Sequence, residues 1–150
     1  MLKGIDPLLF PDLLKVLAEM GHDEAIVLTD ANFSAMHVSA GKPLLRLPGI
    51  DMAHAIRAVT SVFPLATDVA SPVAYMRVSD TEPTYRSALQ REILEILAPC
   101  MLPHQTAEAI ERFAFYERAQ KTCAVLITGE LQPFGNFILR KGVIDEPMRP

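Results

Sequence analysis

A chain of 150 residues, half of them hydrophobic, is near the commonest size for one compact domain and long enough to bury a real core. With a net charge of -4 and only 14 Lys and Arg in all, it lacks the basic face that nucleic-acid phosphates require, so no nucleic-acid partner is expected. No apolar run approaches the roughly 18 residues of a membrane span, and the start of the chain, with Asp6 and Pro7, lacks a secretory leader's apolar stretch. A cytoplasmic location away from the membrane is therefore expected.

In chain order, Leu13, Val16, Leu17 and Met20 recur at helical spacing after Pro11 and Asp12, with Gly21 as the stop. This helix delivers its end to His22. The short run Ala25, Ile26, Val27 and Leu28 predicts a strand that stops at Thr29 and Asp30. A strand over 44–47, a turn at Pro48-Gly49, a helix over 51–63 and a strand over 73–78 follow. Leu89, Ile93, Ile96 and Leu97 form an apolar stripe in a helix over 85–97 that Pro99 ends, and a further helix is expected over 107–119. The last two strands are expected over 124–128 and 137–140, parted by Gly129, Pro133 and Gly135.

This alternation predicts an α/β single-domain layered fold, a largely parallel sheet flanked by helices, over residues 1–150 with a flexible tail at 145–150. In such folds ligands lie beyond the carboxyl ends of the strands, so His22, Asp30 and the Gly135-Asn136 turn become candidates for one rim. The two cysteines, Cys100 and Cys123, are too few for a disulfide framework and read as buried thiols. Phe137 to Arg140 has an apolar side that suits either a subunit contact or the core.

The chemistry available is narrow. Gly129 and Gly135 match neither the dinucleotide nor the P-loop spacing, so no nucleotide cofactor is expected. His22, His37, His54 and His104 lack metal-ligand pairing, there is no Cys-x-x-Cys, and no Gly-x-Ser-x-Gly marks a nucleophile. Acid, base and hydrogen-bond chemistry remains. Each candidate alone also has a plainer reading: His22 as a surface histidine, Asp30 as a cap, Arg112 and Tyr116 as a packing pair at i and i+4, Asn136 as a turn residue.

The stretch Glu111-Arg112-Phe113-Ala114-Phe115-Tyr116-Glu117-Arg118-Ala119-Gln120-Lys121 and the strand after it resemble the L-fucose mutarotases of the RbsD/FucU family, which also contains D-ribose pyranase. The resemblance extends through Gly21-His22, Thr29-Asp30-Ala31-Asn32-Phe33, Gly135-Asn136 and Lys141-Gly142. It implies a cofactor-free, metal-free enzyme that interconverts the anomers of a monosaccharide, with L-fucose favoured, built as a homo-oligomeric ring such as a decamer. It further implies that His22 is the catalytic acid-base and that Asp30, Arg112, Tyr116, Phe134, Gly135 and Asn136 bind sugar, the last turn being lent by a neighbouring subunit.

The chain departs from the family pattern at three places. Phe134 stands where a tyrosine usually precedes the Gly-Asn pair, Asp23 and Glu24 follow His22 where Gly and Asp are usual, and Ser34 replaces a proline. These departures leave open a non-catalytic sugar-binding protein of the same fold. An aldose isomerase or epimerase acting at carbon is a further alternative, which would want a metal or a carbon-acid base pair.

Overall fold

The computed structural model describes residues 2–144, so the tail expected at 145–150 lies outside the described residues. The elements run α1 (Pro11–Glu19), β1 (Ala25–Thr29), α2 (Ala35–Val38), β2 (Leu44–Leu47), α3 (Met52–Thr60), β3 (Val73–Met76), α4 (Ala88–Leu97), a 3-10 turn (Ala98–Cys100), β4 (Ala107–Ile110), α5 (Arg112–Gln120), β5 (Ala124–Thr128) and β6 (Phe137–Arg140).

The strands form one six-stranded sheet in the order β2-β5-β1-β6-β3-β4. Pairings β1 with β5, β2 with β5 and β3 with β4 are parallel, whereas β6 runs antiparallel to both of its neighbours, β1 and β3. Central strands buried on both faces read as continuous apolar runs, and β1 and β5 do so because two helical layers cover them. Ile26, Leu28, Leu126 and Leu139 pack under α1, α3 and α4 with Leu13, Ile56 and Ile93. Val27, Val125 and Ile138 face the other way, against Phe115 and Ala119 of α5 and Val38 of α2.

The sequence places β1, β2, β5 and β6 where the structure does. The helix expected over 107–119 is two elements: residues 107–110 form the edge strand β4 beside β3, and a helix begins only at Arg112. The switch falls at Glu111, whose carboxylate accepts from the backbone N–H groups of Phe113 and Ala114 and so caps α5. Ser87 and Gln90 cap α4 reciprocally, so it starts at Ala88 and not at residue 85. Among the thiols, Cys100 is exposed and Cys123 half-buried, against the expectation that both are buried. Strand β6 lies mid-sheet with Phe137, Ile138 and Leu139 buried within this chain, so its apolar residues serve the core.

Two lysines fix helix ends. The Lys42 ammonium donates to the carbonyls of Ala119, Gln120 and Thr122 at the end of α5. Lys141 donates to the carbonyls of Leu17 and Met20 at the end of α1, just before His22. A cation at the negative end of a helix satisfies orphan carbonyls and the dipole together.

Candidate functional site

The antiparallel insertion of β6 builds the centre of the site. Because Leu28 pairs with Phe137, the residue leaving β1, Asp30, meets the residue entering β6, Asn136. Their contact is reciprocal: the Asp30 backbone N–H donates to Asn136 Oδ1 at 3.0 Å, and Asn136 Nδ2 donates to Asp30 Oδ2 at 3.0 Å. Asp30 Oδ1 also accepts from the backbone N–H of Asn32 at 2.9 Å. Both residues are nearly inaccessible, 4% and 2% exposed. Burial pushes the Asp30 carboxyl above its ordinary pKa, and the donors from Asn32 and Asn136 offset part of that rise.

A pocket of about 210 Å³ opens over this pair. Arg112, the first residue of α5, and Tyr116 one turn later line one side; the guanidinium carbon lies 5.7 Å from the Tyr116 ring centre. Phe33 stands against Tyr116 with ring centres 5.3 Å apart. Pro133 and Phe134 line the other side, with Met76 from the carboxyl end of β3. Phe134 holds a left-handed backbone, φ 63°, a conformation costing a non-glycine residue roughly 1–2 kcal/mol, so the surrounding structure must impose it. Gly135 follows, where a Cβ would lie 2.7 Å from Leu89 Cδ2 and 3.1 Å from the Gln132 carbonyl oxygen, so a side chain there would require the tip of Leu89 to move.

His22 is elsewhere. It precedes β1, so the five residues of that strand, at roughly 3.3 Å each, separate it from Asp30, and it stands beyond the opposite end of the strand. There its Nε2 lies 3.1 and 3.2 Å from the two carboxylate oxygens of Asp68. That contact, helped by Arg140, holds the Asp68 carboxyl below its ordinary range. Arg140 itself pairs with Asp23, and the Asp23 backbone N–H donates to the Lys141 carbonyl at 2.9 Å.

The expectation of one rim therefore divides. Within a chain the structure unites Asp30, Arg112, Tyr116, Phe134 and Asn136, with Gly135 in the same turn, and it excludes His22. The Gly135-Asn136 turn, expected from a neighbouring subunit, lies against Asp30 of its own chain. Asn32, Phe33, Met76 and Pro133 also line the pocket and are not among the site residues expected from the sequence. Asn32 and Phe33 follow Asp30 directly, so adjacency was the available signal; Met76 carried none beyond its strand. Among the described residues no cluster of three or more His, Cys, Asp or Glu is placed to hold a metal, and no helix is long and apolar enough to cross a membrane.

Comparison with known proteins agrees with this architecture. Residues 3–144 match the model of the RbsD / FucU transport protein family. A protein of Glaesserella parasuis serovar 5 (strain SH0165) named L-fucose mutarotase is 43% identical over 143 residues, covering 95% of this chain and 96% of that one. The crystal structure of the fucose mutarotase from Streptococcus pneumoniae in complex with L-fucose superposes with a TM-score of 0.86 at 32% identity, over 96% of this chain and 100% of that one. That of FucU from Bifidobacterium longum does so with a TM-score of 0.83 at 33% identity, over 95% and 100%.

Proposed function

This chain belongs to the RbsD/FucU family, and from that premise we propose that it is a cofactor-free sugar mutarotase that interconverts the anomers of L-fucose or a related monosaccharide in the cytoplasm. The observation that carries the reading is the buried Asp30–Asn136 pair beneath a pocket walled by Arg112 and aromatic rings. Asp30 accepts from sugar hydroxyls and Arg112 donates to them, while Asn136, whose amide donates to Asp30 Oδ2 and to Met76 Sδ, holds the carboxylate in place. The Phe134 and Tyr116 rings offer flat apolar faces to the sugar's C–H groups.

Mutarotation needs only proton transfer. The anomeric hydroxyl gives up its proton, the ring oxygen gains one, the bond from the anomeric carbon to the ring oxygen breaks and a carbonyl forms. Rotation about the neighbouring carbon–carbon bond and the reverse transfers close the ring on the other face, with no net change in atoms or electrons. Imidazole, with an unperturbed pKa of about 6.5, gives and takes protons near neutrality, and His22 is assigned that role.

Because His22 and Asp30 stand beyond opposite ends of β1, the complete site takes His22 from one chain and the Asp30 pocket from another. The assembly is a homo-oligomer, and a closed ring such as a decamer repeats this contact without free ends. The pocket's size agrees, since about 210 Å³ falls below the roughly 300–1,000 Å³ of a complete small-molecule site.

The same remoteness of His22 favours one alternative, a protein that binds the sugar without turnover. Saturation-transfer NMR on equilibrated L-fucose separates the two. Catalysed exchange between the anomer signals above the buffer rate is expected; binding without exchange would establish the alternative, and neither binding nor exchange would refute both.

A further inference from the structure

We propose that Gln90 is a positioning residue of the sugar pocket: its side-chain amide ties together the carbonyls of two pocket-wall residues, Met76 and Phe134, and so holds Phe134 in its left-handed conformation. The inference rests on the reading of that pocket as the sugar site.

Gln90 is fully buried in the first turn of α4. Its Oε1 accepts from the Ser87 backbone N–H at 3.1 Å, and its own backbone N–H donates to Ser87 Oγ at 3.1 Å. That exchange is a capping box, which needs an acceptor at this position and nothing more. The amide nitrogen has no part in it. Nε2 donates instead to the Met76 carbonyl at 2.8 Å and to the Phe134 carbonyl at 3.1 Å, so both of its hydrogens are committed outside the helix. Met76 ends β3, and Phe134 lies in the turn that enters β6.

A glutamate would complete the capping box equally well but offers no donor when ionised. What glutamine adds is the pair of bonds to the pocket walls. Phe134 needs such a tether, because a phenylalanine at φ 63° returns to ordinary backbone angles unless its surroundings forbid it. Leu89, the preceding residue of α4, fills the space that a side chain at Gly135 in the same turn would occupy. The start of α4 is thus the backing plate of the Phe134 wall, and Gln90 is the polar link through it.

Gln90→Glu keeps the cap acceptor and loses the donors; Gln90→Met removes both; Ser87→Ala weakens the cap and leaves the amide in place. After wild-type exchange is measured, KM and kcat for L-fucose are compared in the three variants, with melting temperature recorded for each. Both Gln90 variants are expected to raise KM about three- to tenfold, as loss of pocket hydrogen-bond geometry would, with kcat within about twofold because Gln90 bonds only to Ser87, Met76 and Phe134, none of which moves a proton. Ser87→Ala is expected to lower the melting temperature and leave KM unchanged. An unchanged KM in a folded Gln90 variant overturns the proposal, as does an equal KM rise in Ser87→Ala, which would mean generic loosening of α4. Failure of both Gln90 variants to fold overturns it too, making Gln90 a folding determinant. A wild-type chain that neither binds nor exchanges the sugar sinks the proposal together with the reading beneath it, whereas normal wild-type kinetics with unaltered variants sinks only the role of Gln90.

Discussion

Asn136→Ala tests the centre of the site through stability, without any substrate. The change strips the Asp30 backbone N–H of its acceptor and Asp30 Oδ2 of its donor, in a place where neither atom reaches water easily. A buried donor left unpaired costs about 1–3 kcal/mol, and a lost bond to a charged group about 1.5–3. The expected destabilisation is therefore about 2.5–6 kcal/mol, or roughly 5–24 °C in melting temperature for a domain of this size.

The loss carries a pH signature. Burial already raises the Asp30 carboxyl in the fold, and removing the Asn136 donor raises it further. A raised acid favours its neutral form in the folded state, so its contribution is full below the unfolded value of about 3.9 and is lost as pH climbs through the folded value. The deficit of the variant relative to wild type should then grow between about pH 4 and neutrality. Urea unfolding at both pH values measures it. A loss under about 0.5 kcal/mol, or one of equal size at the two pH values, would refute the reading that the Asn136 donor offsets part of the rise in the Asp30 carboxyl.

His22→Ala should fold normally, since the side chain is exposed, and should lose roughly 10²–10⁴-fold in exchange rate; an unchanged rate above background would remove His22 from the mechanism. If the site spans two chains, inactive His22→Ala and Asp30→Asn proteins, unfolded and refolded together in equal amounts, should recover about a quarter of wild-type activity by random assembly. No recovery in assembled mixtures, or a monomer by light scattering, would defeat the shared site. Phe134→Tyr restores the hydroxyl usual at this position and should strengthen L-fucose affinity a few-fold to about tenfold, the worth of one neutral hydrogen bond, with exchange rate retained. Abolished binding would mean that the ring packs where a hydroxyl cannot fit, and no change with any sugar would place it outside the site.

Much of the layered fold was legible in the sequence because its signals are local. Apolar runs such as Ile26-Val27-Leu28 need burial on both faces, and Gly21 after the stripe of α1 marks a helix end in any context. The same local reading failed over 107–119, where two short elements share a composition compatible with one helix. There the partner strand β3, and the cap supplied by Glu111, decide between them.

Resemblance gathered Asp30, Arg112, Tyr116 and Asn136 into one site, but only the fold supplied the reason they meet. Strand direction and register are long-range properties: β6 enters antiparallel between β1 and β3 and so brings Asn136 to Asp30 across 106 residues. The same geometry sends His22 to the far end of β1, because residues that flank the two ends of one strand cannot share a rim. Gln90 was hidden for the same reason, since a helix-capping glutamine looks identical in sequence whether or not its amide reaches two distant carbonyls. Local sequence set which segments are buried and where they turn; which ends of which strands come together was settled only when the sheet assembled.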